Sequence, residues 1–227
     1  MVVINPSIEN TLTFEGIDWE ISLTAHKKKS SKIFVSPDQK YLKKTKQRKG
    51  HKRDNEFYNL VFWRALLEKY NEHFKTRFYA PQPYVSEGRD LIMEYFPGMD
   101  LERLLTSASI AFDDLHFIFE NVGKLNKIKE NEKLAHNDFA LRHLLVDGRL
   151  FGLIDLEQAQ RGNGKVAEEN KTLISQIKEL YKGEVDPHVE VGYNSIPPTS
   201  LFDSVLDSVK KTYGERANFY LVSRYRG

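Results

Sequence analysis

The sequence predicts an α+β chain built as two lobes. Three observations predict it. The first ~95 residues alternate short β-type runs with turn signals around a single helical pattern, whereas from Asp100 the apolar period becomes mostly helical. Between them "EYFPG", residues 94–98, supplies a hinge. The expected division is therefore a sheet-rich lobe over 1–95 and a helix-rich lobe over 96–227.

Residues 11–24, "TLTFEGIDWEISLT", read as a strand. Residues 32–46 read as two more, "KIFVS" and "KYLKKT", joined by a Pro37-Asp38-Gln39 turn. "DNEFYNLVFWRALLEKYNEHF" is a helix with Asp54 placed to cap it, its turns marked by Phe57, Leu60, Val61, Arg64 and Leu67 or Glu68 along a mostly apolar inner stripe. "RFYAPQPYVSEGRDLIMEYFPG" gives a loop, a strand, a tight turn at Glu87-Gly88 and a second strand. "DLERLLTSA" starts a helix behind Asp100, and "FDDLHFIFENVGKLNKIKENEK" is a long amphipathic one. "HLLV" and "RLFGLID" form a hairpin around Asp147-Gly148, where φ > 0 is favoured. "AEENKTLISQIKELYKG" and "TSLFDSVLDSVKKTYGERANFYLVSRYR" are helices, with a loop through Asp186-Pro187 and Pro197-Pro198 between them.

Composition bounds the chemistry. At 227 residues and 40% hydrophobic the chain can bury a sizeable core. The lack of cysteine excludes a disulfide, a thiolate nucleophile and a thiolate metal site. Met1-Val-Val-Ile-Asn-Pro is too short and lacks the basic flank of a secretory signal, and no run reaches the ~20 apolar residues of a membrane span. The expected location is cytoplasmic, or peripheral to the inner face of a membrane. Positive charge is concentrated in residues 26–53, where Lys27, Lys28, Lys29, Lys32, Lys40, Lys43, Lys44, Lys46, Arg48, Lys49, Lys52 and Arg53 occur. Such a block suits phosphates, nucleic acid or anionic lipid, or it is a solvated edge.

The candidate chemistry lies in "LAHNDFALRHLLVDGRLFGLIDLEQAQ", residues 134–160. Phosphoryl transfer needs divalent cations, a lysine near the nucleotide phosphates, and a carboxylate that accepts the proton of the attacking hydroxyl. Lys43 comes late in a strand, Glu56 opens the following helix, Asp138 sits between a helix and a hairpin, and Asp155 ends that hairpin. Each alone is as well explained by a turn, a cap or a surface pair; the ordered series is more specific. Zinc and P-loop chemistry are disfavoured, with no His-Glu-x-x-His and no Gly-Lys-Ser/Thr loop. A Gly-x-Ser-x-Gly elbow is missing as well.

On these residues the chain resembles the protein-kinase-like superfamily. "KYLKK" looks like its lysine-bearing strand, "DNEFYNL" like the start of the helix carrying its glutamate, and "LIMEYFPGMDLERLL" like the hinge of small-molecule kinases. "HNDFALRHLLVDG" is similar to the catalytic loop His-x-Asp-x-x-x-x-Asn, and "LIDLEQA" to the metal-binding Asp segment. Within the superfamily these segments are most similar to the bacterial lipopolysaccharide core kinases, which act on heptose and Kdo sugars. The resemblance implies a two-lobed protein-kinase-like fold that binds ATP with Mg²⁺ or Mn²⁺ between the lobes. Lys43 would hold the α- and β-phosphates, with Lys44 as competitor, because alternation puts only one of them into the cleft. Glu56 would orient the lysine, Asp138 would be the catalytic base, and Asp155 would hold the metal. His136 would pin the loop. Glu94 and Phe96 would present backbone groups to adenine under Met93.

Two departures from the family pattern bear on activity. His143 stands where the family has Asn; an imidazole is a softer ligand that suits Mn²⁺ better than Mg²⁺, or it only hydrogen-bonds the loop. The turn "TAHKKKSS" carries no glycine where the phosphate-covering loop usually has several. The expected acceptor is a sugar or glycolipid rather than a protein Ser/Thr. The block at 26–53 would contact a phosphate-bearing ligand or anionic membrane, and nucleic acid is the third reading. The alternative to a kinase is a catalytically silent nucleotide-binding module.

Overall fold

The structure is a computed structural model and describes residues 2–4, 14–21, 31–46, 54–107, 110 and 112–225. It begins with β1 (Val2–Ile4), β2 (Glu20–Ile21), β3 (Ser31–Val35) and β4 (Tyr41–Lys46), followed by α1 (Asp54–Phe74). Next come β5 (Phe78–Tyr79), β6 (Pro83–Glu87) and β7 (Asp90–Glu94). The first sheet has the order β1-β6-β7-β4-β3-β2 with every pairing antiparallel. Residues 94–98 leave it as the expected connector.

Beyond the connector lie β8 (Met99–Asp100), α2 (Leu101–Thr106), α3 (Phe112–Glu132) and β9 (Leu134–Ala135). The chain continues through the hairpin β10 (Leu144–Asp147) and β11 (Leu150–Leu153), β12 (Gln160–Arg161), α4 (Asn163–Leu180), α5 (Asp186–Asn194) and α6 (Phe202–Tyr225). A small antiparallel sheet carrying one helix, joined to a mainly helical lobe, is the two-lobed α+β architecture that the sequence predicts. Among the described residues no helix is long and apolar enough to cross a membrane.

Helix α1 is buried on more than the expected single stripe. Phe57, Leu60, Val61, Phe62, Trp63, Leu66, Leu67 and Tyr70 are all core residues, because α1 is wedged between the sheet and α6. Asp54 opens the helix, and its carboxylate accepts from the Ser86 hydroxyl at 3.0 Å and that of Tyr220 at 3.4 Å. At the other end of α1 the Tyr70 hydroxyl donates to Glu132 of α3 at 2.6 Å. The same carboxylate accepts the Leu201 N–H at 2.7 Å, just before α6.

Several local expectations are corrected. The strand expected over 11–24 contains a Glu15-Gly16 turn with φ +78° at Gly16, and strand pairing covers only Glu20–Ile21 of its described residues. Both two-residue hairpin turns begin one residue later than read. They are Gly88-Arg89 and Gly148-Arg149, with φ +56° and +55° at the glycines, because Glu87 and Asp147 still pair with Asp90 and Leu150. The stretch around Asp186-Pro187 is not loop but the first turn of α5, where Pro fits because the N–H it lacks has no helical partner there. Helix α6 bends at Gly214, whose φ of 73° and ψ of −165° are not helical.

Helices α3 and α5 meet at backbone distance. A Cβ on Gly192 would stand 1.8 Å from the Glu120 carbonyl oxygen, and one on Gly123 would stand 2.0 Å from that of Val189. Gly192→Ala is therefore expected to lower stability by about 3 kcal/mol by forcing the helices apart. Urea denaturation checks this, and a loss below about 0.5 kcal/mol would contradict the contact.

Candidate active site

Strand alternation decides which lysine enters the cleft. In β4, Leu42, Lys44 and Lys46 share one face, and Leu91 and Met93 lie opposite Lys44 and Leu42 on β7. Lys44 is buried, and its ammonium pairs with Glu56 of α1 and lies 3.0 Å from Asp155. Lys43 points to the other face. Its ammonium lies 4.6 Å from the centre of the Trp19 ring and 5.2 Å from that of Phe34, a pair of cation–π contacts. The expectation for Lys43 is corrected to Lys44. The signal was Leu42, two residues before Lys44. It was masked because Tyr41 on the opposite face is also packed, against Phe14 and Tyr84.

Lys46, a cleft residue that sequence reasoning missed, repeats the pattern by pairing with Glu157, two residues beyond Asp155. Two lysines of the basic block are thus largely buried against carboxylates rather than turned to an outer surface. Lys27, Lys28, Lys29, Arg48, Lys49, Lys52 and Arg53, and all but Ser31 of the glycine-free turn, lie outside the described residues.

Asp155 follows β11 in a left-handed conformation, φ 62° and ψ 42°, and precedes a 3-10 turn over Leu156–Gln158. Asp138 precedes the turn Leu141–His143, and its side chain is 38% exposed, with Arg142 at 3.7 Å. One ligand atom each from Asp138, His143 and Asp155 lie within 4.8 Å of one another, as do those of Glu56, Asp155 and Glu157. Lys44, Glu56, Asp138, His143 and Asp155 are therefore brought together from positions spread over more than a hundred residues.

His143 is prepared as a neutral donor of a lone pair. Its Nδ1 lies 2.6 Å from the Asp138 carbonyl oxygen; a carbonyl only accepts, so Nδ1 carries the proton and Nε2 the lone pair. Nε2 faces Asp155 at 3.4 Å. Burial pushes the imidazole pKa down to about 4, against the pull of Asp155, so the ring is uncharged near neutrality. Two carboxylates and a neutral imidazole, oriented from behind by a backbone carbonyl, fit a divalent cation.

His136 is fully buried, with Nε2 donating to the Ile154 carbonyl at 2.9 Å and its ring stacked on His143. Burial lowers its pKa. The N–H groups of His136 and Asn137 both donate to Glu169 of α4. Glu169 is held at 2.9 Å by Lys129 of α3, which is 0% exposed and lies over the Phe139 ring. This support behind the loop was also missed, because α3 and α4 read simply as amphipathic helices.

At the hinge, Met93 is buried on the cleft face of β7. The Glu94 N–H is already used by the Gln82 carbonyl at 2.8 Å, and the Glu94 carboxylate is held by Arg64 at 3.0 Å. The Phe96 ring stacks on Tyr79, and a Cβ at Gly98 or Gly152 would strike it at 2.4 Å or 3.1 Å.

Replacing Lys44 by Met removes the ammonium facing Glu56, which is 1% exposed, and should cost about 3 kcal/mol. Lys43→Met should cost under about 1 kcal/mol. Denaturation of the two variants side by side checks the assignment, and the reverse order would refute it.

Burial, opposed by Glu169, pushes the Lys129 pKa down to about 8 from an ordinary 10.5. Between those values the unfolded chain keeps a proton that the folded protein has released. This group's contribution therefore rises with pH in that window, by up to about 3 kcal/mol. Measured at pH 7.5 and pH 10, the stability of the parent relative to Lys129→Met should increase. An unchanged difference would contradict the depressed value.

No protein-family model and no curated protein matches the chain. Among solved structures it is similar to two of Rio2 kinase from Chaetomium thermophilum, one of them an ADP/Mg²⁺-phosphoaspartate complex. Identity is 13% in both cases, over 90% of this chain and 72% and 71% of those chains, with TM-scores of 0.49.

Proposed function

We propose that this chain is an ATP-dependent phosphotransferase acting on a hydroxyl group. The observation that carries the reading is the meeting of Lys44, Glu56 and Asp155 beside Asp138 and His143. Lys44 holds the nucleotide phosphates, kept in place by Glu56. Asp138, the more exposed carboxylate, takes the proton of the acceptor hydroxyl as its oxygen bonds to the γ-phosphorus and the bond to ADP breaks. Asp155, with His143 behind it, would hold a Mg²⁺ or Mn²⁺ ion, which supplies charge neutralisation at the phosphates. Met93, Glu94 and Phe96 line the hinge where adenine would lie.

The acceptor we favour is a sugar or glycolipid of the lipopolysaccharide-core kind. This finer reading is supported by the likeness to that kinase group of His143 in place of Asn and of Ile154-Asp155-Leu156 followed by Gln-Ala-Gln. A short path also supports it: only Leu156 to Gly162 lie between Asp155 and α4, leaving little chain for a protein-docking loop. A second reading, a silent nucleotide-binding module, draws on His143, which stands where the family pattern has Asn.

Asp138→Ala should lower ATP turnover at least ~100-fold while nucleotide affinity stays within about 2-fold. Asp155→Ala should weaken metal-dependent nucleotide binding as well. Turnover assays paired with calorimetric titration separate the two effects. Near-normal turnover in Asp138→Ala would exclude it as the base, and nucleotide binding without turnover in the parent would favour the silent module.

A further inference from the structure

Asn59 lies one helical turn beyond Glu56 on α1 and is 1% exposed. Its amide nitrogen donates to the Leu156 carbonyl at 2.7 Å and to that of Ala159 at 3.3 Å. Those carbonyls bracket the 3-10 turn that follows Asp155. The amide oxygen accepts the Tyr225 hydroxyl at 2.9 Å. Both ends of one buried side chain are thus used. One fixes the segment that carries Asp155, and the other is fixed by the last turn of α6.

That last turn reaches α1 because α6 bends at Gly214. Beyond the bend Ala217, Leu221 and Tyr225 are fully buried. Tyr225 stacks on Phe62 at 4.9 Å between ring centres, and Tyr220 stacks on Tyr58 at 5.1 Å. The left-handed backbone of Asp155 is sparsely populated by residues other than glycine and persists where its surroundings hold it. The Asn59 bonds to the adjoining turn are such a restraint.

We propose that Asn59 and Tyr225 are positioning residues through which the end of α6 sets the direction of the Asp155 carboxylate. Their consequence for nucleotide binding rests on the reading of Asp155 as a metal-holding residue; their mechanical consequence does not. Tyr225→Phe is the informative change, since it keeps the ring on Phe62 and deletes only the hydroxyl.

Two readouts test this in the full-length protein. Hydrogen exchange of residues 155–162, referenced to the β10–β11 hairpin, should lose about 10-fold in protection in Tyr225→Phe. The Mg²⁺ or Mn²⁺ concentration for half-maximal ATP binding should rise about 3- to 10-fold, with metal-free ATP affinity unchanged. Tyr220→Phe removes a hydroxyl from the same segment but outside the Asn59 chain, and should leave both readouts within about 2-fold of the parent. Unchanged exchange in Tyr225→Phe would overturn the proposal, as would equal effects from Tyr220→Phe. A parent that binds no metal–nucleotide would sink the phosphotransferase reading alone, and the exchange data would still decide the positioning role.

Discussion

The ammonium of Lys44 sits between Glu56 and Asp155 and ties β4, α1 and the segment after β11 at one buried point. Burying a lysine is costly unless carboxylates face it, and two carboxylates around one ammonium leave negative charge over. The pattern repeats beside it with Lys46 and Glu157, and Asp138 adds a further carboxylate. Two ammoniums and the Arg142 guanidinium thus stand among four carboxylates, with His143 neutral, leaving one negative charge over. The excess suits a cation, and the lysines suit the phosphates such a cation would accompany. Under the proposed function, the Lys44 and Lys46 ion pairs are interactions that metal and nucleotide would rearrange.

The cleft is held from behind by different means. Glu169 collects the two N–H groups preceding Asp138, and Lys129 offsets its charge in a fully buried position. Asn59 holds the turn after Asp155 and is itself held by Tyr225. The candidate residues therefore rest on polar groups contributed by α1, α3, α4 and α6, of which Asn59, Lys129 and Tyr225 are fully buried and Glu169 is mostly so. This division suits a site whose reacting groups must stay partly accessible while their backbone does not move.

Much of this was legible in the sequence where one strong local signal operated. Helix α1 could be placed because its apolar residues and flanking polar residues agree, and the two hairpins because a glycine with φ > 0 marks each turn. The turns were misplaced by one residue because Glu87 and Asp147 are turn-like in type but paired in the sheet. Helix α5 was hidden behind Asp186-Pro187, a pair that opens helices as well as loops. Glu56, Asp138 and Asp155 were singled out through ordered spacing, and the fold brings them together around Lys44 and His143. Lys44 was confused with Lys43 because both faces of β4 are packed. Glu169, Lys129 and Asn59 carry no local signature, since their roles exist only once distant helices meet.

Under the proposed function a single metal–nucleotide occupies the space bounded by Lys44, Asp138, His143 and Asp155. Pulsed electron paramagnetic resonance of Mn²⁺ added with ADP tests it most directly. One manganese ion should show coupling both to nucleotide phosphorus and to an imidazole nitrogen, and the nitrogen coupling should vanish when His143 is replaced by Asn. Manganese signals that show neither coupling, and do not change when ADP is added, would contradict it.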